Sequence, residues 1–306
     1  VFKNFIVYRV TAGQLGDAAP LEKALQGARF IECGPTQDKS MGWVEPRGQA
    51  HAALLEVVDG QWIAELRIET RAVPASVVNR MALQRADQIQ AEYGRQPGRK
   101  ELRDIKDDIR LQLLPQAFTK QTSVRVWLDR AAGLVLLDTA SQSRADDVMA
   151  LLLQALPGIS LALIDTREAP ATAMAHWLLA QQAPGHFSLD RECELRASDA
   201  TRALVRYARH RLDTAEVQGH VQDGKLPTRL ALTWQGRVSF VLTESLQIKK
   251  IGYLEGVFEN TGATAQDDHF DADVAIATGE WRQLLPELLD ALGGMTEPTI
   301  SSSSTC

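Results

Sequence analysis

Gln61-Trp62-Ile63-Ala64-Glu65-Leu66-Arg67-Ile68-Glu69 is the stretch that decides the fold class. In an extended chain Trp62, Ala64, Leu66 and Ile68 fall on one face, and Gln61, Glu65, Arg67 and Glu69 on the other. The reading is a half-buried strand. Pro74 then opens a different pattern. Residues 75–93 are mostly strong helix formers, and Gly94 and Pro97-Gly98 break them. Leu102, Ile105, Ile109 and Leu113 recur at helical spacing until Pro115. Two antiparallel helices this polar make a projecting arm rather than a core. Strands resume over 122–128, where Val124, Val126 and Leu128 alternate, and over 134–139.

Upstream, Phe2–Val10 (FKNFIVYRV) is rich in aromatic and β-branched residues and reads as a strand. Pro20–Gly27 reads as a short helix with Leu21 and Leu25 on one face. Downstream, Ser143 is the expected N-cap of a helix through Leu156, closed by Pro157-Gly158. A further helix is expected over Ala171–Gln182. Leu204–Leu212 fits helix or strand and is taken as a strand, with Val205, Tyr207 and Arg209 opposite Arg206, Ala208 and His210. Asp213–Glu216 resembles a capping box for a helix ending near Gly224. Gln235-Gly236 between two apolar runs signals a hairpin, and Leu246–Ile251 adds a strand. Trp281, Leu284, Leu285, Leu288, Leu289 and Leu292 form an amphipathic helix stopped by Gly293-Gly294.

Strands and helices come in blocks, so the expected class is α+β with largely antiparallel sheets. The expected organisation has a central β-rich region (1–74 and 116–168), a helical arm (75–115) and a C-terminal α+β region (169–294) that carries a basic segment. A Ser/Thr-rich disordered tail (295–306) follows.

The 306 residues are enough for roughly two domains. With 45% hydrophobic and 24% charged residues, the composition is that of a folded protein. No window supplies the apolar run a membrane helix needs, and the N-terminus has no signal-peptide layout. A cytoplasmic location is the expectation. Cys33, Cys193 and Cys306 are too scattered for a disulfide framework or a metal-ligand pair.

The net charge of −6 argues against nucleic acid, but the charge is unevenly distributed. Arg196–Arg211 holds five arginines and one acid, Asp199. Asp223–Lys250 holds five cations and two acids, whereas Leu254–Asp290 holds nine acids and one arginine. A basic surface on an acidic chain suits phosphate contacts, which need positive donors and no base-edge geometry. No helix-turn-helix, zinc finger or basic zipper appears, so any DNA recognition is expected to be independent of sequence. Arg206, Arg209, Arg211, Lys225 and Arg229 are the candidate phosphate contacts. Arg95, Arg99, Lys100, Arg103 and Lys106 on the arm rank lower because acids lie among them.

Signals for chemistry are poor. Gly219–Leu226 matches GxxxxGK, but Leu226 stands where a magnesium-binding Ser or Thr is required. Gly224 is better read as a helix C-cap and Lys225 as a surface cation. Asp267, Asp268, His269, Asp271 and Asp273 lack the EF-hand pattern and read as a solvated acidic loop leading into a strand. A two-metal nuclease using these carboxylates stays as an alternative, as does a protein-binding adaptor. No histidine pair or GxSxG elbow is present. A non-enzymatic protein without cofactor or metal is expected.

Several blocks, in order along the chain, resemble the RdgC family of recombination-associated proteins: FKNFIVYRV (2–10), KSMGWV (39–44), LLPQAF (113–118), TRLALTW (228–234) with Arg237, and the closing helix with Thr278-Gly279-Glu280 before it. Together they span residues 2 to about 294. The resemblance implies a horseshoe-shaped subunit that closes as a homodimer into a ring around double-stranded DNA, binding without sequence specificity. It implies restraint of RecA and association with the nucleoid and with replication. It places Phe118 at a dimer contact that gates the ring, with Gln116 where relatives often carry arginine. Without the resemblance, the bland reading of Phe118 is an ordinary core aromatic after a helix. The resemblance also places a basic finger at Arg209 and His210, near Arg206 and Arg211.

Overall fold

The structure is a computed structural model describing residues 1–258 and 266–297, with backbone alone at Gln266–Asp268. In chain order it runs β1 (Ile6–Ala12), α1 (Ala18–Gly27), β2 (Lys39–Val44), β3 (Leu55–Val58), β4 (Gln61–Arg71), α2 (Ala75–Tyr93), α3 (Arg99–Leu113), β5 (Thr119–Asp129), β6 (Leu134–Leu137), α4 (Gln142–Ala155), β7 (Ser160–Leu163), α5 (Pro170–Ala180), β8 (Phe187–Ala197), β9 (Leu204–Ala208), α6 (Ala215–Gln222), β10 (Lys225–Trp234), β11 (Val238–Thr243), β12 (Ile248–Tyr253) and α7 (Gln266–Ala291). The strands form two sheets. One is ordered β2-β4-β5-β6-β1-β7, with β3 beside the start of β4, and the other β12-β11-β10-β8-β9. Every ladder between these strands is antiparallel, as the α+β reading expects.

The alternation in β4 places Trp62, Ala64, Leu66 and Ile68 against α1 and α4, in one core. The opposite face is not free, which corrects the half-buried reading. Ile63 is buried in a second core, and Gln61 accepts a hydrogen bond at 2.9 Å from the indole of Trp127. The reason is α7, which lies between the sheets. Trp281 is fully buried, 5.0 Å from Phe5 edge-on and 5.8 Å from Phe240 on the second sheet. The chain start joins the same seam, with Phe5 exchanging backbone hydrogen bonds with Ile248 of β12.

α2 and α3 are inserted between the neighbouring strands β4 and β5, which pair to the arm's root at Arg71 and Thr119. Val78, Ala82 and Ile109 form a small core of their own, flanked by Leu102, Ile105 and Leu113. The two helices therefore pack on each other.

Several local expectations change. The N-cap of α4 is Ser141 rather than Ser143. α6 is capped by Thr214, whose hydroxyl accepts from the amide of Val217, because Asp213 is drawn into a pair with Arg211. β9 stops at Ala208, and Arg209 turns into the left-handed region at φ 56°. The acidic stretch is not a loop before a strand. α7 already begins at Gln266, because Phe270, Val274, Ala277 and Trp281 continue its apolar stripe upstream at helical spacing. Gly279 thus lies within the helix. At the other end Met295 pairs with Thr166, and Thr296 donates to the carbonyl of Asp165. The remainder of the expected tail, 298–306 with Cys306, lies outside the described residues. Among the described residues no helix is long and apolar enough to cross a membrane.

Candidate nucleic-acid interface

β8 is the axis of the candidate site, with β10 on one side and β9 on the other. Its inward residues Cys193 and Leu195 are fully buried, beside Val205 and Tyr207 of β9 and Leu230 of β10. Strand alternation turns the intervening residues to the opposite face. Glu194 faces Arg206 across one ladder and Arg229 across the other. Opposite charges directly across an antiparallel pair are mutually stabilising.

The outward face collects Arg196, Arg206, Arg209, Arg229, Lys249 and Lys250, with Arg191 at its margin, around Glu192, Glu194 and Glu244. Lys250 donates to both oxygens of Glu192 at 2.6 and 2.7 Å, and Arg206 lies 3.6 Å from the same carboxylate. Glu194 accepts from the Thr228 hydroxyl at 2.7 Å and has Arg196 and Arg229 at 3.8 and 3.9 Å. Arg196 also reaches Glu244 at 3.6 Å. Among the described residues Arg209 and Lys249 have no ion-pair partner. Burial and then the neighbouring Arg229 charge push the Lys249 ammonium below its ordinary pKa. The face dips into a shallow cleft of about 410 Å³, lined by Ala231, Ser239, Phe240 and Val241, by the cations Arg191, Arg209 and Lys250, and by the carboxylates Asp190 and Glu192. The arrangement is a row of cationic donors interspersed with carboxylates, with Arg209 and Lys249 left to meet an extended polyanion.

The structure brings Arg206, Arg209 and Arg229 together but not the other candidates. Lys225 is not a free surface cation. It shares the inward side of β10 with buried Pro227 and donates to His220 of α6 at 3.0 Å. Arg211 lies in the connection to α6, gripped by Asp213 at 2.9 and 2.5 Å. His210 donates through Nδ1 to the carbonyl of Arg211 at 2.6 Å, beside the ring of Tyr207. The GxxxxGK run spans the end of α6 and the start of β10, a helix-to-strand order opposite to that of a phosphate loop. Arg196, Lys249 and Lys250 lie in the two basic segments of the sequence but are not among its candidate phosphate contacts. The signal for the last two was their position in an edge strand next to the β10–β11 hairpin.

Phe118 is 94% exposed, just beyond the root of the arm, and Gln116 beside it is also exposed. Phe118 is therefore not a core aromatic. Arg71 holds this root, donating to the carbonyls of Pro115 at 3.3 Å and Cys33 at 3.2 Å.

The acidic stretch has a structural use. Asp271 binds Arg47 at 2.6 Å, Arg47 also holds Glu56 at 2.9 Å, and its guanidinium lies 4.7 Å over the ring of Phe270. This latches the start of α7 to the first sheet. Among the described residues no three His, Cys, Asp or Glu side chains are grouped to hold a metal ion. The side chains of Asp267 and Asp268 lie outside that description. Burial pushes the Cys193 thiol up to about 12, so it is protonated and unreactive at neutral pH.

A family model described as "Putative exonuclease, RdgC" matches residues 1–295. Similar proteins named "Recombination-associated protein RdgC" include that of Bordetella pertussis, 41% identical over 297 residues, covering 96% of this chain and 98% of the relative. That of Dechloromonas aromatica is 39% identical over 298 residues, covering 96% and 97%. That of Burkholderia cenocepacia is 38% identical over 301 residues, covering 98% and 97%. A family match across nearly the whole chain, with relatives at this identity over nearly their full lengths, places the chain in the RdgC family of recombination-associated proteins.

Proposed function

We propose that this chain binds double-stranded DNA without reading its sequence, through the outward face of its second sheet. Horseshoe-shaped subunits pair as a homodimer and close into a ring around the duplex, with Phe118 and Gln116 at the closing contact. The protein acts on the cytoplasmic nucleoid and restrains RecA by limiting its access to DNA. It performs no catalysis and needs no cofactor. Arg206, Arg209 and Arg229 make the main phosphate contacts, and Arg211, His210 and Lys225 contribute from the flank once released from their present partners.

The observation that carries this reading is the clustering of arginines and lysines on one solvent-facing sheet surface of an acidic chain, with Lys249 and Arg209 lacking carboxylate partners among the described residues. Glu192, Glu194 and Glu244 neutralise part of this charge, and the remainder, at Arg209 and Lys249, is what a polyanion would complete. The relatives' printed name, which places them in recombination, agrees with a DNA partner. Ring closure reconciles modest phosphate contacts with long residence, since a closed ring leaves DNA only at an end or by opening an interface.

The test is binding to duplexes of unrelated sequence, comparing the natural chain with an Arg206→Ala, Arg209→Ala, Arg229→Ala variant. Equal affinity across sequences and a uniform loss in the variant are expected. The exonuclease in the family model's description gives a second reading. Incubating the protein with linear duplex and magnesium separates the two, because released nucleotides would establish catalysis and intact DNA supports binding alone.

A further inference from the structure

Four cations of the candidate interface, Arg196, Arg206, Arg229 and Lys250, are already paired with carboxylates. Glu192 is the most engaged, accepting from Lys250 at 2.6 and 2.7 Å with Arg206 at 3.6 Å. Its carboxyl is held below the ordinary range, first by the Lys250 hydrogen bond, and so stays ionised at neutral pH. Glu194 and Glu244 share Arg196, and Glu194 also has Arg229. Each carboxylate offers the same two-oxygen, single-negative recognition surface that a backbone phosphate offers. Glu192 comes from the bulged part of β8 and lines the cleft together with Arg209 and Lys250. A phosphate entering there meets an acceptor already in place.

Resting on the DNA-binding reading above, we propose that Glu192 is a resident competitor for phosphate that limits affinity and speeds release from DNA, with Glu244 as a weaker second. Lys250 and Arg206 then exchange between an internal carboxylate and a passing phosphate. Because such pairs are partly exposed, each is worth little in stability, so exchange is nearly isoenergetic. A protein that must not block DNA permanently gains mobility along the duplex from this arrangement.

The experiment measures affinity and dissociation from a 40-base-pair duplex for the full natural chain and for Glu192→Gln, Glu244→Gln and Glu32→Gln. Glu32, exposed in the connection between α1 and β2, makes the same change of net charge away from the second sheet. Glu192→Gln is expected to bind about three- to tenfold tighter and dissociate correspondingly slower, with the salt slope steeper by about one. Glu244→Gln is expected to gain less, and Glu32→Gln to stay near the natural chain. In addition, Lys250→Met should cost more affinity in the Glu192→Gln background than in the natural one, a comparison that holds even if Glu192→Gln lowers the melting temperature. Equal gains in Glu32→Gln and Glu192→Gln, or no gain in Glu192→Gln, overturn the proposal while DNA binding stands. Loss of all duplex binding by the natural chain overturns the binding reading and this one with it.

Discussion

Lys249 sits beside Arg229 on the open face of the second sheet, a half-buried ammonium next to a like charge. Burial first, and then the arginine, lower its pKa from 10.5. The unfolded chain therefore keeps this proton to higher pH than the folded one. The group costs stability at neutral pH, and the cost fades as the pH rises from the lowered value through 10.5. Lys249→Met should raise the melting temperature by about 2 °C yet weaken duplex binding. In the natural chain, affinity should also fall as alkaline pH approaches the lowered pKa, since phosphate favours the charged form. A variant that is less stable and binds DNA unchanged would show that Lys249 serves the fold and not the ligand.

Phe118 offers its ring almost wholly to solvent, so Phe118→Ala has little to lose within one subunit. Its melting temperature at low protein concentration should stay within about 2 °C of the natural chain. Dimer mass in solution and retention on closed circular DNA should both fall. Unchanged mass and unchanged retention would remove Phe118 from the closing contact.

The arm packs on itself and springs from a ladder already complete at Arg71 and Thr119. Replacing residues 73–117 with Asn-Gly, which supplies the two-residue turn such strands need, should leave both sheets folded. Circular dichroism should show helix loss and a single cooperative transition. An unfolded product would mean that the arm supports the sheets rather than projecting from them.

Trp281 has no exposed surface and touches aromatic rings from both sides of the seam. Trp281→Ala should cost about 3–5 kcal/mol in denaturant unfolding. If the sheets unfold as one unit in the natural chain, this variant should split the transition into two steps. A loss below about 1 kcal/mol would contradict the placement of α7 between the sheets.

Much of this fold was legible in the sequence. The β4 alternation, the arm with its breakers, and the Gln235-Gly236 hairpin carry local signals that tertiary packing reinforces; both residues of that turn have positive φ, at 48° and 66°. β8 was not legible. Asp190, Arg191, Glu192, Glu194 and Arg196 crowd its eleven residues, and a bulge shifts the apolar period between Leu189 and Cys193. The first half of α7 was hidden by its aspartates, since nothing local says that Arg47 and Phe270 will turn acid into a latch. The basic segment was visible as charge, but its partners were not. Strand order decides that Glu192 and Glu194 lie among the arginines, that Lys225 turns toward His220, and that Lys249 and Lys250 join the face from sixty residues away.

The central claim is that phosphate charge meets the outward face of the second sheet. Its most direct test is duplex affinity across a series of salt concentrations, for the natural chain and the Arg206→Ala, Arg209→Ala, Arg229→Ala variant. With roughly six phosphates neutralised, log affinity should fall against log salt with a slope of about −5, and the variant's slope should be shallower by about three. A flat dependence in the natural chain, or an unchanged slope in the variant, would contradict it.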